Sequence, residues 1–408
     1  MEKNLKKICF LVDMQEGQKT GLFNATYQRI NGLLEYINNY EIYSLSTYDG
    51  KLYSFLKKIL KKEISSKGVS DSFFYEKHEI KYVYIKNTIF TQILKKIGCY
   101  YPIITALKFK KNASKFQMIC AHWGFPQGGM AFILSKILNI PFSVTYHGSD
   151  IHSLPFKYKY FYNSIIKVLN ESDLNIFVSE NLMEFSIKRL RNLNKNNVTI
   201  VNTVSMNHFS PLQLKEKEGL KFQLNFKNKI VGYVGNLLEV KGADRLPDIF
   251  KSIDRKHEGP IDFLVIGDGD LFSLIKNKCQ EYNLNITFLG KLEPEEVSKY
   301  MNIIDVLVLP SRQESFGLVI LEANLCGTIA VATNTGGIPE SIGNPKLLVE
   351  DNEKFIENIS DKVVSIMKHS YCGNNLRERV IKNFDPKIAY EKEYNLLNKL
   401  YKNKMRQE

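Results

Sequence analysis

What this 408-residue sequence lacks narrows it first. No window approaches ~20 uninterrupted apolar residues, the length a helix needs to cross a bilayer, so no spanning helix is expected. Met1 to Phe10 is a charged lead into an apolar strand, without an apolar leader region or small-residue cleavage site, which points to a cytoplasmic protein. The six cysteines (Cys9, Cys99, Cys120, Cys279, Cys326, Cys372) form no C-x-x-C and have no histidine at zinc-ligand spacing. A disulfide framework and a zinc pattern therefore drop out, and reduced, mostly buried thiols are expected. No repeat of solenoid length is visible. Acidic residues are scarce in one stretch: residues 51–115 hold 15 Lys and 4 acids, so they supply +11 of a net charge of +13. Composition drift would not spare the acids in one segment only. The excess points to an anionic partner: nucleic acid, an acidic membrane surface, or an anionic or lipid-linked substrate.

With 44% hydrophobic and 24% charged residues the chain suits a soluble globular protein, and its length suits two domains of roughly 200 residues each. Short β-branched or aromatic runs close on polar or Gly-rich punctuation and are followed by stretches of helical period. In the first half they are Ile8–Val12, Ile42–Ser46, Tyr82–Ile85, Phe116–His122, Phe142–His147, Asn175–Ser179 and Val198–Val201. In the second they are Ile230–Val234, Asp262–Ile266, Ile286–Leu289, Asp305–Leu309 and Thr328–Ala332. Such alternation means βαβ units and parallel sheets. Tyr27, Ile30, Leu33, Leu34 and Ile37 form one apolar helical stripe behind Asn24 or Thr26 as a cap. The pattern lapses into a polar, Lys-rich stretch between His208 and Lys229. The expected organisation is thus an α/β fold of two Rossmann-like, doubly wound domains facing across a cleft. Its parts are an acceptor-binding domain (1–205), a linker and hinge (206–228), a donor-binding domain (229–385) and a C-terminal helix (386–408) that packs back on the first domain.

The strongest chemical signal is DVLVLPSRQESFGLVILEANLCGTIAVATNTGGIPESI, residues 305–342. A buried strand ends at Pro310, a polar loop carries Glu314, and a helix is expected to open at Ser315 or Phe316. At about 1.5 Å per residue, Glu322 would sit some 12 Å along that helix from Glu314, so the two carboxylates can contact two ends of one extended ligand, such as a nucleoside diphosphate sugar. The amides of Ser315, Phe316, Gly317 and Leu318 would be open donors at a helix N-terminus, suited to a pyrophosphate. Gly336 and Gly337 permit close backbone approach in the next loop. Taken singly, Glu314 could be a helix N-terminal charge and Glu322 a solvated residue; the surrounding strand, loop and double glycine favour a site.

At these residues the chain resembles the retaining glycosyltransferases of the GT-B fold, specifically family 4, whose signature is two Glu separated by seven residues, here Glu314 and Glu322. The resemblance extends over VGYVGNLLEVKGADRL (231–246), FLVIGDGD (263–270) and the crossover Asn202 to Pro211. It implies donor contacts at Gly235, Asn236, Gly267 and Gly269, with Lys241 neutralising the donor diphosphate. The family often has Arg after the glycine matching Gly235; Asn236 cannot ionise, so Lys241 and backbone amides carry more of that load. Asp268-Gly269-Asp270 fits a tight turn better than a metal-binding D-x-D, and the resemblance implies metal-independent chemistry with no cofactor beyond the donor substrate.

In the first domain CAHWGFPQGGMAFILSKILNIPFSVTYHGSDIHSLP (120–155) reads strand, Gly-rich turn, helix, strand. A lone histidine is usually structural, but His147, followed by Gly148 and Asp150 at a strand exit, resembles the family's T-x-H-G segment, where the histidine contacts the transferred sugar. His122 and Asp150 are placed on the acceptor side. The HWGFPQGG form resembles members that build bacterial surface polysaccharides. Gly17 and Gly21 stand where the family has a Gly-rich acceptor loop, although its adjacent Gly pair is missing.

The resemblance implies transfer of a sugar, with retention, from a UDP-linked donor to a hydroxyl of a glycan or lipid-linked acceptor. Glu314, His147 and Lys241 would act at the reacting centre and Glu322 on the ribose. An epimerase, a phosphorylase or a non-catalytic basic module are the competing assignments. Residues 51–115 carry no nucleic-acid fold motif, so nucleic acid is not expected. Within them LYSFLKKILKKEISSKG (52–68) sets Lys beside Leu and Ile at helical spacing, as does PFKYKYFYNSIIKVL (155–169) with its aromatics. This reads as an anionic membrane-surface element, or as an ordinary helix with its apolar side in the core.

Overall fold

The computed structural model describes residues 7–17, 21–68, 70–98, 102–369 and 374–407. The N-terminal lead before Lys7, and Cys99 and Cys372, lie outside the described residues. Cys9, Cys120, Cys279 and Cys326 are buried free thiols. The chain divides into two compact units: one takes the sequence up to Val201 together with the residues from Lys387 onward, the other runs Asn202–Pro386.

The first unit is built on β1 (Ile8–Val12), β2 (Tyr40–Asp49), β3 (Ser72–Tyr75), β4 (His78–Asn87), β5 (Met118–His122), β6 (Phe142–Tyr146), β7 (Leu174–Phe177) and β8 (Asn197–Thr199). Their order is β3-β4-β2-β1-β5-β6-β7-β8. Ile8 lies opposite Tyr40 on one side and Met118 on the other, and every residue of β1 is buried, as a central parallel strand covered on both faces must be. Seven of these strands fall on the expected apolar runs. The eighth, β3, pairs antiparallel with β4. Its two-residue turn carries Glu76 at φ 51° instead of the Asn or Gly that normally marks such a hairpin, which is why pattern reading passes over it.

The second unit carries β9 (Lys229–Val234), β10 (Ile261–Ile266), β11 (Ile286–Gly290), β12 (Val306–Leu309), β13 (Ile329–Thr333) and β14 (Leu348–Val349), all parallel, in the order β11-β10-β9-β12-β13-β14. β14, two residues long, is too short to show a period. In each sheet the winding reverses once. After β1 the chain builds outward through β2 and β4, then returns to the other side of β1 with β5; β9 and β12 do the same in the second unit. Crevices at the carboxyl ends of such strand pairs are where open α/β sheets bind ligands.

Three expectations need correction. The helix bearing the Tyr27 stripe spans Gly21–Leu33, so Asn24 and Thr26 lie within it and do not cap it; Phe23, Tyr27, Ile30 and Leu33 are its buried face. Residues 206–228 are not a free linker: Leu214–Gln223 is a helix of the second unit, and Asn302 ties the preceding strand of chain to that unit by accepting from Leu212 N–H and donating to Ser210 O. The boundary falls earlier, at Val201/Asn202.

The last helix, Pro386–Gln407, contributes Tyr390, Leu397 and Tyr401 to the core cluster of the first unit that also holds Phe23, Tyr27 and Ile30. There the Arg29 guanidinium pairs with Glu393 at 2.7 Å, both side chains almost wholly buried, and donates to Ile200 O at 3.0 Å. One side chain thus joins the first helix, the last helix and the end of the first unit's chain segment. A buried charge that loses its partner is costly, so Glu393→Ala is expected to destabilise the unit by ~3–5 kcal/mol, and Arg29→Met with Glu393→Leu by much less; urea unfolding of both variants checks this.

Candidate active site

In the second unit the loops after β9 and β12 meet at the switch point. The first ends in a short 3₁₀ turn, Glu239–Lys241, followed by Gly242 at φ 65°. A Cβ on Gly242 would fall 1.8 Å from Pro310 O, so only glycine lets one loop lie on the other. Arg312 seals the contact. Its guanidinium takes both oxygens of Asp244 at 2.6 Å and donates to Glu239 O at 2.7 Å, while its own amide donates to Val240 O. The Arg312 pair holds the Asp244 carboxyl below its ordinary range.

This seam brings Lys241 Nζ to 2.7 Å from Glu314 Oε2. Glu314 Oε1 accepts the Ser315 amide at 3.1 Å. From the other side Gly337 N–H donates to Glu314 O at 3.0 Å, and a Cβ on Gly336 would stand 1.9 Å from that same oxygen. Glu314 is therefore fixed at its backbone by the loop after β13 and at its side chain by Lys241.

The helix behind it starts later than expected, at Leu318, with Gly317 as its cap at φ 89°. Ser315 N–H is already taken by Glu314, and Phe316 is a core residue whose ring lies 5.7 Å from that of Phe384. At this helix start the Ser315 amide is taken by Glu314, which leaves the amides from Phe316 to Leu318 as the candidates for an anion. The helical rise from Leu318 to Glu322 is only about 6 Å; the remaining separation from Glu314 comes from the turn. Glu322 reaches the surface with part of its side chain, yet burial raises its carboxyl to about 7.

The glycines expected to contact donor serve the loops first. Gly235 N–H donates to Ile266 O, Gly267 N–H to Gly290 O, and Gly269 N–H to the Asp268 carboxylate. Asp268-Gly269-Asp270 thus forms a turn, further tied by Leu237 N–H to Asp268 O. Asn236 leaves its side chain exposed while its carbonyl accepts the Tyr233 hydroxyl. Among the described residues no group of three His, Cys, Asp or Glu side chains is placed to hold a metal ion. Sequence reasoning missed Arg312, whose partner is 68 residues away and follows no short spacing. It also missed Ser311 and Asn324, both buried with side-chain polar atoms that find no partner among the described residues.

In the first unit His122 ends β5 at the switch point and His147 follows β6. Their rings stack 5.5 Å apart with Nδ1 of His122 3.2 Å from Nε2 of His147. Burial, and for both the Arg29 charge, pushes their pKa values down, His147 to about 3, so both are neutral at pH 7. Whichever nitrogen donates within the pair, the outer atoms, His122 Nε2 and His147 Nδ1, are one donor and one acceptor, buried and unpartnered among the described residues. Asp150, expected to face acceptor, is instead a fully buried brace. It accepts from Gly124 N–H on one oxygen and from His147 and Gly148 N–H on the other, and burial still lifts it to about 6. Gly17, at φ 76°, and Gly21 have no neighbour among the described residues where a Cβ would stand.

Residues 215–385 match the family Glycosyl transferases group 1. Over 326 residues, 78% of this chain and 84% of the other, the sequence is 32% identical to an uncharacterized glycosyltransferase of Methanocaldococcus jannaschii. The chain belongs to this family of glycosyltransferases. Sucrose-phosphate synthase from Thermosynechococcus elongatus superposes with a TM-score of 0.76 at 18% identity, covering 98% of this chain and 100% of that one. Anabaena HepE, solved with UDP-glucose, gives 0.69 at 19% identity over 96% and 99%. The fold of this glycosyltransferase is GT-B.

Two measurements test the geometry. Gly336→Ala must displace the Glu314 carbonyl and is expected to cost roughly 1–3 kcal/mol in urea unfolding, whereas Gly219→Ala, in an open helical position, is expected to cost nothing. For Glu322 the folded pKa of about 7 stands above the ordinary 4.5, so the native state keeps a proton that the unfolded chain releases, and stability falls as pH rises through that interval. Glu322→Gln is expected to abolish this slope and to be the more stable protein at pH ~7.5, by on the order of 1–3 kcal/mol from ~1.4 per pH unit, as read by urea unfolding at pH ~5 and ~7.5.

Proposed function

We propose that this glycosyltransferase moves a sugar, with retention and without a metal, from a UDP-linked donor to a hydroxyl of a glycan or lipid-linked acceptor in bacterial cell-surface polysaccharide synthesis. The observation that carries this is the Lys241–Glu314 contact of 2.7 Å at the switch point of the second sheet. A diphosphate is the anion that can draw the ammonium away from the carboxylate, and a sugar hydroxyl is the donor that then satisfies the carboxylate. In this reading Lys241, with the amides at Gly317 and Leu318, stabilises the leaving diphosphate as charge builds on it. Glu314 orients the sugar, Glu322 receives the ribose hydroxyls, and Ser311, next to Pro310 in the seam, is a buried group that a bound donor can complete. The structural likeness to a protein solved with UDP-glucose favours uridine as the base.

The His122–His147 pair presents one neutral donor and one neutral acceptor, a set suited to sugar hydroxyls and unsuited to phosphate. Retention follows if the acceptor hydroxyl attacks the oxocarbenium-like carbon on the face the diphosphate is leaving. Glu314 makes a poor covalent nucleophile, because one oxygen is held by Ser315 N–H and the other, once Lys241 turns to the diphosphate, by a sugar hydroxyl.

Lys241→Ala and Glu314→Ala are each expected to lower transfer or donor hydrolysis with a panel of UDP-hexoses by roughly 10²–10³-fold, with the unfolding midpoint near wild type. Unchanged turnover by either variant would sink the assignment.

A further inference from the structure

The Lys-rich segment of the first unit contains a helix turned inside out. In Lys51–Ile59 the apolar residues Leu52, Phe55, Leu56 and Ile59 follow the spacing that normally faces a core. None is buried: Leu52 is 67% exposed, Phe55 60% and Ile59 61%. The inward face is the polar one. Lys57, some 140–160° around the helix from Leu52, Phe55 and Ile59, reaches the fully buried Asp49 carboxylate at 2.7 Å, and Ser54 donates to Asp49 O. Asp49 also accepts from Ser65 N–H and from Asn87. The polar anchor at the end of β2 forces the apolar stripe into water.

The helix Ile89–Ile97 stands beside it through the same hub, since Lys95 donates to Asn87 Oδ1. It too has no buried residue, and Phe90, Ile93 and Ile97 are each more than half exposed. In Ile103–Ala113, Ala106 and Phe109 enter the core while Ile103, Ile104 and Leu107 do not. Lys51, Lys58, Lys61, Lys62 and Lys96 are exposed on the same two elements or just after them. The stretch 155–169, expected to share this character, does not: Phe161, Ile165, Val168 and Leu169 face the core in the usual way.

Exposed apolar stripes of this kind, set among lysines, mark an interaction surface. We infer that it docks on an anionic phospholipid bilayer, with Phe55, Ile59 and Phe90 entering the interface and the lysines meeting lipid phosphates. Charge complementarity selects this occupant: a second copy would set one basic face against another, whereas a basic rim around aromatic and branched side chains matches an acidic membrane surface. Both helices begin at the carboxyl ends of β2 and β4, the edge on which His122 and His147 lie, so the docked face borders the acceptor side; that last point rests on the proposed function, whereas docking itself does not.

The test is co-sedimentation of the purified full chain with vesicles of phosphatidylcholine alone or with roughly 30% phosphatidylglycerol, at about 50 mM and about 500 mM salt. Binding is expected only to the acidic vesicles and at the lower salt. Phe55→Ser with Ile59→Ser and Phe90→Ser is expected to reduce the bound fraction at least about tenfold, with unchanged unfolding midpoint and unchanged UDP-sugar hydrolysis in the absence of vesicles. No binding to acidic vesicles at low salt overturns the inference, as does binding that the triple variant leaves intact. A wild-type dimer that the triple variant dissociates, with no vesicle binding, assigns the face to a second copy and also overturns it. The hydrolysis readout separates each of these from failure of the catalytic assignment.

Discussion

Glu314 accepts Gly337 N–H on its backbone oxygen and Lys241 on its carboxylate, and both contacts exist because neighbouring loops lie backbone against backbone. A methyl group at Gly242 or Gly336 would come within 2 Å of a carbonyl oxygen of the loop after β12. Parallel strands about 4.8 Å apart deliver their following loops into a narrow space, and side chains between those loops would push them apart. Keeping the space free of Cβ atoms makes the loops a single layer. The Arg312–Asp244 fork then locks the layer by a bidentate contact that neither loop could satisfy alone.

Within that layer the charges are already matched. Lys241 and Glu314 neutralise one another, so the pair leaves no isolated ammonium for any passing anion. In the proposed reading a ligand exchanges this pair without loss by offering both an anion for the lysine and a hydroxyl for the carboxylate, as a sugar diphosphate does. Lone charge elsewhere is reduced by burial: His122 and His147 of the first unit are neutral, and Glu322 keeps its proton in about half of the molecules at pH 7.

The parallel sheets were legible because their strands are buried on both faces and therefore read as unbroken apolar runs, Ile8–Val12 being the clearest. Glu314, Lys241, His122 and His147 were legible because each sits within a short local frame at a strand exit. What could not be read is what depends on distant partners. Asp150 looks like a ligand-facing acid until its three backbone donors, two of them next door and one 26 residues away, are known. The core role of the Phe316 ring is hidden until Phe384, 68 residues on, packs near it. The start of the helix at Leu318 was hidden because Glu314 captures the Ser315 amide and Gly317 takes a left-handed turn, neither of which periodicity records.

Periodicity also says nothing about which way a stripe faces. Leu52, Phe55 and Ile59 and the stripe Phe23, Tyr27 and Ile30 have the same helical spacing, yet one lies in water and the other in the core. The difference is set by single anchors on the opposite side. Opposite the exposed stripe, Lys57 finds the buried Asp49, and an ion pair whose acid is wholly enclosed holds more firmly than one in water. On the Gly21–Leu33 helix Arg29 finds Glu393 of the last helix, which belongs to the same core cluster as the stripe, so pairing and burial act in the same direction. Where a polar anchor and an apolar face pull a helix in opposite directions, the exposed apolar area is retained only if something outside the chain can cover it, and the surrounding lysines specify that cover as anionic.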